Sequence, residues 1–591
     1  MCVTNPQQCG LTLADPKTIV VDWLSCYASA IDSEDPLAVA DTFLPEGWFR
    51  DVLTFTWDLR ALDGRGKIAS YLTNGLAAAG ISELKLDERL HLRPRWNAFS
   101  PRQGQGVEGA FTFQTPSAHG RGYVHLLKDV DNEWKAWAVC MTLDDLKGHE
   151  EVRFESTRAF EGHAMTWSDV LVQRRAKIER DPHVLIVGGG HVGLCMAARF
   201  KQMDIPALVL ERNARIGDNW RKRYPSVTLQ TPRSHHEMLY APFPTTWPLY
   251  TPRDKLADWL EDYANQQDLV TWTNSSIKGK PIYHEGLGRW EVSIDHEGIP
   301  KVLHPTHMVL ATGQLGEPYM PPLKDTHRFQ GEILHGIHCQ RAQAYTGKKV
   351  VVVGAGNTAI DICQDLCAHR AASVTMIQRS STCVISQEAL EKFALQVYPL
   401  DIPQEVSDFR FSSIPVGLRK KVAQGMQQEM WEIDKEVHDK LRKGGLSLSM
   451  GPEGQGAALL GYERVGGYWL DLGGADLIAS GAIKVKQGIE PVGFTEHTLI
   501  LSDGSEIEAD AVIMACGFHE IREVNKKLFG ENIINRTREV FGIDKEGESK
   551  GAYRPSGHPG LWFATGDFWV ARSFSKPLAI QIKSIELRLT K

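Results

Sequence analysis

The alternation of apolar and polar positions changes along the chain and divides it into blocks. The first block opens with an apolar-periodic stretch from Thr18 to Ile31, which predicts a helix. Runs rich in aromatic and β-branched residues follow at 109–114, 122–128 and 133–139, and they predict strands. A helix followed by several strands predicts an α+β unit with a curved antiparallel sheet.

The pattern then changes twice more. Residues 146–180 are rich in Glu, Lys and Arg and predict a helical connector, which the breaker Asp181-Pro182 ends. From residue 183 onward, buried β-branched runs alternate with helical stretches, which predicts α/β architecture with parallel sheets covered by helices. Within it, 386–470 is the least interpretable stretch.

A first glycine motif joins a strand to a helix. The apolar run 183–187 leads into Gly188-Gly189-Gly190-His191-Val192-Gly193 and then into a helical segment. In this motif Gly188 permits the tight turn, Gly190 lets the backbone approach a pyrophosphate, and Gly193 allows close helix packing. The next strand ends in Glu211, 18 residues after Gly193, where an acid can bind a ribose. A dinucleotide-binding βαβ unit is therefore predicted.

A second glycine motif follows the same plan. The run 349–353 leads into Gly354-Ala355-Gly356-Asn357-Thr358-Ala359 and a helix. Ala in place of the third glycine is tolerated because only a small side chain fits the contact between helix and strand. Gly354, Gly356, Asn357 and Thr358 are therefore the predicted contacts of a second nucleotide.

The two units differ at the residue that faces the ribose. After the second strand of the second unit stand Gln378, Arg379 and Ser380, with no acid. A guanidinium can pair with a 2′-phosphate, which a carboxylate repels. This predicts FAD at the first unit, marked by Glu211, and NADPH at the second, bound through Arg379 and Ser380. The alternative interpretation is that Arg379 is an ordinary surface arginine.

Composition narrows the class of protein. A chain of 591 residues is too long to fold around a single hydrophobic core, so three or four domains are expected. A net charge of −7 and only one short basic run, 221–223, argue against a nucleic-acid partner. The ten cysteines form no CxxC pair, and with no signal peptide or run of about 18 apolar residues a cytoplasmic protein without a membrane span is expected.

With both units interpreted, residues 180–591 resemble the class B flavin-dependent monooxygenases. The family's flavin, linker and C-terminal segments are matched by Ile216-Gly217-Asp218-Asn219-Trp220, Tyr224-Pro225-Ser226-Val227, Ala311-Thr312-Gly313, 510–518 and Phe563-Ala564-Thr565-Gly566-Asp567. The resemblance implies that Asn219, Trp220 and Asp567 contact FAD. It also implies that NADPH reduces the flavin and that O2 then forms a C4a-(hydro)peroxyflavin, which oxygenates a small organic substrate.

The family fingerprint between the two units is matched except at its end. It runs Phe329-x-Gly331-x-x-x-His335-x-x-x-Cys339, where relatives carry Tyr or Phe, or Trp in Baeyer–Villiger members. His335 is interpreted as a histidine hydrogen-bonded to backbone near the linker. The segment 361–385 looks nearest to the plant YUCCA-like branch. The substrate is therefore left open between an N or S heteroatom and a 2-oxo acid or carbonyl, with a Baeyer–Villiger enzyme as the alternative.

Two amides are candidates for the catalytic centre. Gln230 stands where, by resemblance, an Asn approaches the flavin, and Asn357 lies in the second glycine turn. No metal site is expected. Two other classes remain open: a flavin disulfide reductase, which the lone Cys195 disfavours, and a non-catalytic flavoprotein with an N-terminal interaction module.

The first block resembles the NTF2-like (SnoaL-type) cone fold through Ala38–Phe43, Arg50-Asp51 and 62–68. Asp51 and His125 are its candidate polar groups, although ordinary strand positions are the favoured interpretation. The arrangement is similar to a fungal type, and assembly as a homodimer is left open. The predicted organisation is a flexible N-terminus 1–17, an NTF2-like domain 18–145, a connector 146–180, an FAD domain 181–345 that returns at 511–591, and an NADPH domain 346–510.

Overall fold

The computed structural model describes residues 15–97, 106–152 and 165–590. Most of the predicted flexible segment 1–17 lies outside them. The described chain begins at Asp15, whose side chain accepts a hydrogen bond from the Lys17 N–H and caps the first helix. Pro16 occupies the first helical position, where its missing N–H costs nothing.

The N-terminal unit is a seven-stranded sheet covered by helices. Its strand order is β2-β1-β7-β6-β5-β3, with β4 beside β5. All pairs are antiparallel except β1 with β7, so the predicted antiparallel sheet is corrected to a mixed one. The first and last long strands meet side by side, a long-range pairing that local patterns do not encode. The elements are α1 Pro16–Asp32, α2 Pro36–Asp41, β1 Phe43–Val52, β2 Leu59–Asp63, α3 Arg65–Leu72, α4 Leu76–Ala79, β3 Ser82–Leu86, β4 Arg95–Asn97, β5 Gly106–Gln114, β6 Ala118–Lys128 and β7 Trp134–Leu146.

The connector is only partly helical. Strand β7 continues to Leu146, and helix α5 spans Trp167–Arg180. A capping box at Thr166 and Asp169 starts this helix, which explains why it begins there. The middle of the predicted connector, 153–164, lies outside the described residues.

The first α/β unit is built on a parallel five-stranded sheet in the order β10-β9-β8-β15-β28. Its last strand and the long helix α20 come from the C-terminal end of the chain. The elements are β8 Val184–Val187, α6 His191–Gln202, β9 Ala207–Leu210, α7 Asp218–Arg221, α8 Arg233–His236, α9 Arg253–Gln266, β10 Thr271–Trp272, β11 Ser275–Ile277, β12 Ile282–His284, β13 Arg289–His296, β14 Ile299–Leu303 and β15 His307–Leu310, with β28 Leu561–Phe563 and α20 Phe568–Glu586 at the end of the chain.

The second α/β unit is also a parallel five-stranded sheet, in the order β17-β26-β18-β19-β22. Strands β17 and β26 lie on either side of the predicted 346–510 range and pair with each other in this sheet. Its elements are β16 Leu315–Pro318, β17 Glu332–His335, β18 Lys349–Val353, α10 Asn357–Ala368, β19 Ser373–Gln378, β20 Cys383–Ser386, β21 Tyr468–Asp471, α17 Gly474–Ala479, β22 Ile483–Gln487, β23 Pro491–Phe494, β24 Thr498–Leu501, β25 Glu506–Glu508, β26 Ala511–Met514 and β27 Phe518–Glu520, with 3-10 turns at Thr326–Arg328, Gly336–His338 and Ala342–Tyr345.

The stretch that sequence patterns left unassigned, 386–470, folds into a helical insertion. Part of this insertion packs on both the N-terminal sheet and helix α20 of the first nucleotide unit, and two more helices follow β27. They are α11 Gln387–Val397, α12 Gln404–Ser413, α13 Val416–Gly425, α14 Gln427–Ile433, α15 Lys435–Lys443 and α16 Gly456–Arg464, then α18 Ile521–Phe529 and α19 Glu531–Ile534. Across the described ranges, no helix combines the length and the apolar character that crossing a bilayer requires.

Candidate active site

The first glycine turn is closed by contacts that exclude larger side chains. Gly188 has φ +114°, and a Cβ on it would lie 2.4 Å from the carbonyl oxygen of Ala311. A Cβ on Gly193 would lie 1.9 Å from the carbonyl oxygen of Gly188. Strand β8, helix α6 and the Ala311 linker are thus pressed together, as the motif predicts.

Gly190 differs from its neighbours because the space above it is open. A Cβ there would meet only the side-chain nitrogen of Asn219, at 3.9 Å. Gly190 is also the N-cap of α6, and within the described residues no side chain caps that helix. The free N–H groups of the first turn and the helix dipole therefore face a shallow cradle suited to a pyrophosphate.

The acid at the end of β9 is fixed at the same turn. Glu211 is buried, and its Oε2 accepts the Gly189 N–H at 2.9 Å. Its Oε1 accepts the backbone and side-chain N–H groups of Asn213 at 2.8 and 2.7 Å. This holds the carboxylate beside the glycine turn, in the position expected for a ribose partner.

Asn219 and Trp220 lie on the short helix α7 beside this cradle. Gly217, at φ +89°, begins the helix and lies so close to α9 that a Cβ would come within 2.2 Å of the Ala257 carbonyl oxygen. Trp220 is buried, and its indole Nε1 has no hydrogen-bond partner in the part of the chain that the structure describes. A buried N–H of this kind points to an acceptor supplied by a ligand.

The second glycine turn repeats the geometry of the first. Gly354 has φ +130°, and its Cβ would lie 2.3 Å from the Ala515 carbonyl oxygen. Gly356 is the N-cap of α10, and a Cβ there would meet only the Tyr468 carbonyl oxygen at 3.9 Å. Asn357 and Thr358 form the first turn of α10. A second cradle for a pyrophosphate is thus built from the same parts.

The two linker motifs explain why the turns match. Ala311 of Ala311-Thr312-Gly313 and Ala515 of Ala515-Cys516-Gly517 place a carbonyl oxygen against the first glycine of their respective units. The resemblance between the two segments is therefore a resemblance in packing. A hydrogen bond from the Tyr224 hydroxyl to Asp361 on α10 joins the two units beside these turns.

Gln378, Arg379 and Ser380 follow one another at the end of β19, but the first is buried and the other two are exposed. Gln378 is buried, and its amide exchanges hydrogen bonds of 2.9 and 2.8 Å with the backbone of Ser447. It is therefore a structural residue. Arg379 and Ser380 are exposed, and the Arg379 guanidinium lies 3.9 Å from Glu490, with 76% of its side chain accessible. That guanidinium is reachable by a phosphate.

The fingerprint residues belong to the second nucleotide unit, where strand β17 carries His335 in the sheet. Phe329 packs on Phe494 with ring centroids 4.9 Å apart, and Gly331 is held against the Asp510 carbonyl. His335 Nε2 lies 2.9 Å from the Gly517 carbonyl oxygen, in line with its interpretation as a histidine bonded to backbone. Cys339, at the position where relatives carry an aromatic residue, is buried, and burial raises the pKa of its thiol to about 11.

A cavity of about 1290 Å³ extends from the first nucleotide unit to the N-terminal sheet. One end is formed by Gln230, Thr231, Gly566 and Asp567, and its wall is formed mainly by the helical insertion. The N-terminal unit contributes a further part of the wall, with Glu46, Trp48, Arg95, Glu108, His125 and Trp137. Such a volume accommodates a small organic molecule together with part of a cofactor.

Uncharged histidines lie near the Gly566-Asp567 end of this cavity. Burial lowers the pKa of His235 to about 3 and that of His191 to about 4. His191 stacks on Phe568 at 4.2 Å and lies 3.0 Å from the Gly566 carbonyl oxygen. Burial raises the pKa of Asp567, which caps α20 through the Val570 N–H, to about 6. At neutral pH these histidines therefore carry no charge.

The two candidate catalytic amides take different positions. Gln230 lines the cavity. Asn357 begins α10 and is hydrogen-bonded to the side chain of Tyr468, which itself lines the cavity. Sequence patterns missed most of the wall because its residues come from 386–470, and the aromatic and arginine content of that stretch was the only available signal.

The donor set fits two dinucleotides: two open glycine cradles, an acid at one ribose position and a guanidinium at the other. The fold and site therefore define a flavoprotein oxidoreductase with one flavin unit and one nicotinamide unit. A family model described as flavin-binding monooxygenase-like matches residues 181–523, and the chain belongs to that family.

The relatives agree with this assignment. The chain is 30% identical over 346 residues to a probable indole-3-pyruvate monooxygenase, YUCCA7, of Arabidopsis thaliana, covering 56% of this chain and 73% of the relative. It is 28% identical over 342 residues to the indole-3-pyruvate monooxygenase YUCCA1 of Oryza sativa subsp. japonica, covering 57% and 77%. A structure of cyclohexanone monooxygenase with ε-caprolactone shares the fold, at a TM-score of 0.50 and 13% identity, over 69% of this chain and 88% of that one.

The expected activity and cofactors follow from these findings. The protein is an NADPH-dependent flavin monooxygenase that uses FAD and oxygenates a small substrate. The disulfide-reductase alternative also fails on physical grounds. Cys195 is buried, and burial raises the pKa of its thiol to about 11, which suppresses the thiolate that such chemistry needs.

Proposed function

We propose that the protein oxygenates a 2-oxo acid and releases carbon dioxide. The curated relatives are named for indole-3-pyruvate, a 2-oxo acid, and their similarity spans the nucleotide units. In balanced form, the 2-oxo acid, O2, NADPH and a proton give the shortened acid, CO2, H2O and NADP⁺. The observation that carries the proposal is the cavity that begins at Gln230 and Asp567 and is walled by apolar side chains.

The cofactor contacts are assigned from the geometry of the turns. Gly188, Gly190 and Gly193 shape the flavin cradle, Glu211 accepts the ribose hydroxyls, and Asn219, Trp220 and Asp567 border the flavin. Bound FAD, once reduced by NADPH, supplies the activated oxygen.

The NADPH contacts follow from the second turn. Gly354, Gly356, Asn357 and Thr358 shape the NADPH cradle, and Arg379 with Ser380 receives the 2′-phosphate.

Gln230 and Asn357 act as positioning amides in this proposal. Gln230 donates its amide hydrogen to the oxygen of the substrate or nucleotide at the cavity end, and Asn357 orients the nicotinamide side through its bond to Tyr468. The neutral histidines and the mainly apolar lining disfavour water near the reacting atoms. Heteroatom oxygenation and Baeyer–Villiger insertion are the alternative reactions.

The N-terminal unit is proposed to be an NTF2-like cone in a fungal-type arrangement, with a structural role. Two helices precede its sheet, two more follow the second strand, and its strands contribute to the cavity wall. Asp51 has a structural role, because its carboxylate accepts hydrogen bonds from the Thr54 N–H at 2.8 Å and from the Tyr71 hydroxyl at 2.5 Å. The Nε2 atom of His125 lies 2.9 Å from the Ser413 hydroxyl of the insertion.

Direct substitution separates this role from catalysis. Asp51→Asn and His125→Gln are each expected to leave product formation per bound flavin within a few-fold of wild type. Loss of turnover with intact folding and normal flavin reduction would place chemistry in the N-terminal unit instead.

The remaining proposals concern organisation. The proposed domains are the N-terminal domain 18–145, the FAD domain 181–345 and 511–591, and the NADPH domain 346–510. Strands β17 and β26 are moved from the FAD ranges to the NADPH domain, because they pair in its sheet. A cytoplasmic location and a homodimer are proposed with them, to be tested by fractionation and by sedimentation of the purified chain.

A substrate screen tests the proposed reaction. The purified flavoprotein is incubated with NADPH, O2 and panels of 2-oxo acids, amines, sulfides and ketones, and NADPH oxidation and product masses are followed. Substrate-dependent oxidation with a product shortened by one carbon and with ¹⁸O from O2 supports the proposal. Oxygenated amines, sulfides or esters in its place would assign one of the alternative reactions.

A further inference from the structure

Arg419 is an arginine of the cavity wall that forms no ion pair with any residue the structure describes. It lies on α13 in the helical insertion, and its Nε and Nη2 atoms are buried without a hydrogen-bond partner anywhere in the described ranges. Burial lowers the pKa of the guanidinium, because the charge has lost its hydration. Buried charges in proteins are normally paired, so an arginine in this condition calls for an explanation.

Aromatic rings surround the guanidinium in place of a carboxylate. The Arg419 Cζ atom lies 4.3 Å from the ring centroid of Phe411, 5.2 Å from that of Trp569 and 5.9 Å from that of Tyr462. Ring faces attract a cation and hold its plane in place, but they accept no hydrogen bond along its edge. The cage therefore orients the guanidinium and leaves its N–H edge unsatisfied.

The charged groups nearby do not fill that gap. Glu548 contributes to the field at Arg419, but both of its oxygens are bonded to Arg50, at 2.6 and 2.8 Å. Arg50 adds a second positive charge to the same region. Asp567, two residues before Trp569, faces the flavin end of the cavity and caps α20. The Asp567 carboxylate also contributes to the field at Arg419, but it forms no hydrogen bond with it, so no described carboxylate fills the N–H edge of the guanidinium.

We propose that Arg419 binds the carboxylate of the substrate, a monoanionic acid with a bulky apolar body. The two unpartnered nitrogens, Nε and Nη2, form the edge of a guanidinium that binds a carboxylate through two parallel hydrogen bonds. A single guanidinium among rings matches one negative charge, and the surrounding apolar wall matches the rest of the molecule. The placement beside Trp569 sets the acid group near the Gly566-Asp567 turn, where the flavin is proposed to lie.

This inference rests on the proposal that the cavity receives the substrate, and its test is a binding measurement without turnover. The probes are 3-phenylpropionate and 3-phenylpropionamide, which share a shape and differ in charge, titrated calorimetrically into the oxidised flavoprotein without NADPH. Wild type is expected to prefer the carboxylate. In Arg419→Gln the dissociation constant of the carboxylate should rise roughly tenfold to a hundredfold, while that of the amide stays within about threefold.

Two matched variants sharpen the result. Arg419→Lys keeps the charge but loses the paired N–H edge, so it should recover only part of the carboxylate affinity. Lys421→Gln removes a cation from the same helix that also lies over an aromatic ring, Trp48 at 4.8 Å, but pairs with Asp63. It should leave both dissociation constants unchanged.

Stability separates binding from a merely structural role. Because Nε and Nη2 of Arg419 have no acceptor among the described residues, Arg419→Gln should melt at or above the wild-type temperature when no ligand is present. A lower melting temperature with unchanged probe affinities, or equal losses for carboxylate and amide, would overturn the inference. If the probes behave as expected but no 2-oxo acid is oxidised, the carboxylate site stands and the proposed reaction is wrong.

Discussion

Arg50 of the N-terminal sheet and Glu548, near the other end of the chain, form a two-pronged ion pair that is fully enclosed. The Nε–Oε2 and Nη2–Oε1 distances are 2.6 and 2.8 Å, and the two side chains are 1% and 0% exposed. Burial by itself would raise the pKa of Glu548, but the guanidinium of Arg50 lowers it below its usual value. This pair fastens the N-terminal unit to the monooxygenase.

Breaking this pair should destabilise the whole protein. Arg50→Met leaves the Glu548 carboxylate buried without its cation, so the free energy of unfolding should fall by about 3–5 kcal/mol. The double variant Arg50→Met with Glu548→Leu should recover much of the loss, since both charges are then absent. Arg60, whose ion pair with Glu546 is about one-third exposed, provides the control: Arg60→Met should cost about 0–1 kcal/mol. Unfolding monitored by fluorescence measures all four proteins, and equal losses for Arg50→Met and Arg60→Met would contradict the reasoning.

Flavin binding should depend on the open space above Gly190. The valine side chain in Gly190→Val would occupy the cradle where the pyrophosphate approaches the backbone, so the purified variant should be colourless. Gly286→Val serves as the control, because a Cβ at that surface glycine meets nothing within 4 Å. FAD content per chain is read from the absorption spectrum, with the circular dichroism spectrum confirming folding. Full flavin content in Gly190→Val would remove the first cradle from the assignment.

Coenzyme preference should depend on Arg379. A charge-assisted bond to the 2′-phosphate is worth about 1.5–3 kcal/mol, so Arg379→Ala should raise the KM for NADPH roughly tenfold to a hundredfold. The KM for NADH and the rate of flavin reduction at saturating NADPH should change little, because the phosphate lies far from the transferred hydride. The matched control is Arg212→Ala, because Arg212 follows Glu211 as Arg379 follows Gln378. This variant should leave the NADPH/NADH ratio unchanged. Stopped-flow reduction with both nucleotides decides the matter, and an unaltered NADPH/NADH ratio in Arg379→Ala would exclude it from the site.

Stability should fall as the pH drops below about 6.5. The folded-state pKa values of His235 and His191, about 3 and about 4, lie below the unfolded value of 6.5, so the unfolded chain binds more protons between these limits. At pH 5 each histidine should cost about 2 kcal/mol of stability. Asp567 acts in the opposite sense, because its pKa is raised to about 6, and offsets part of this loss.

Melting temperatures measured from pH 7.5 to pH 5 test this dependence. His191→Gln should flatten part of the decline, since it removes one of the buried histidines whose pKa is lowered, and His497→Gln, at an exposed position, should retain the wild-type curve. A melting temperature that stays constant down to pH 5 would show that these histidines gain protons as readily in the folded protein.

Local sequence determined both nucleotide turns. The spacing of Gly188, Gly190 and Gly193 after a strand leaves one backbone geometry, because Gly188 needs a positive φ and Gly193 has no room for a Cβ. Glu211 and Arg379 follow their strands directly, so chain order alone placed each at the end of the second strand of its unit. These features depend on neighbours within one βαβ unit, which is why the pattern was sufficient.

Tertiary structure alone decided the sheet pairings and the cavity. Local sequence patterns do not predict that β1 pairs in parallel with β7, or that β17 and β26 pair in the second sheet, because both pairings join segments that are far apart in the chain. The same holds for the ion pair of Arg50 with Glu548 and for the cage around Arg419, whose rings come from α12, α16 and α20. The sequence thus determined which cofactors bind, because a contiguous motif forms each nucleotide-binding turn. The cavity wall was decided by the fold, because it is assembled from side chains that only the packing of separate helices brings together.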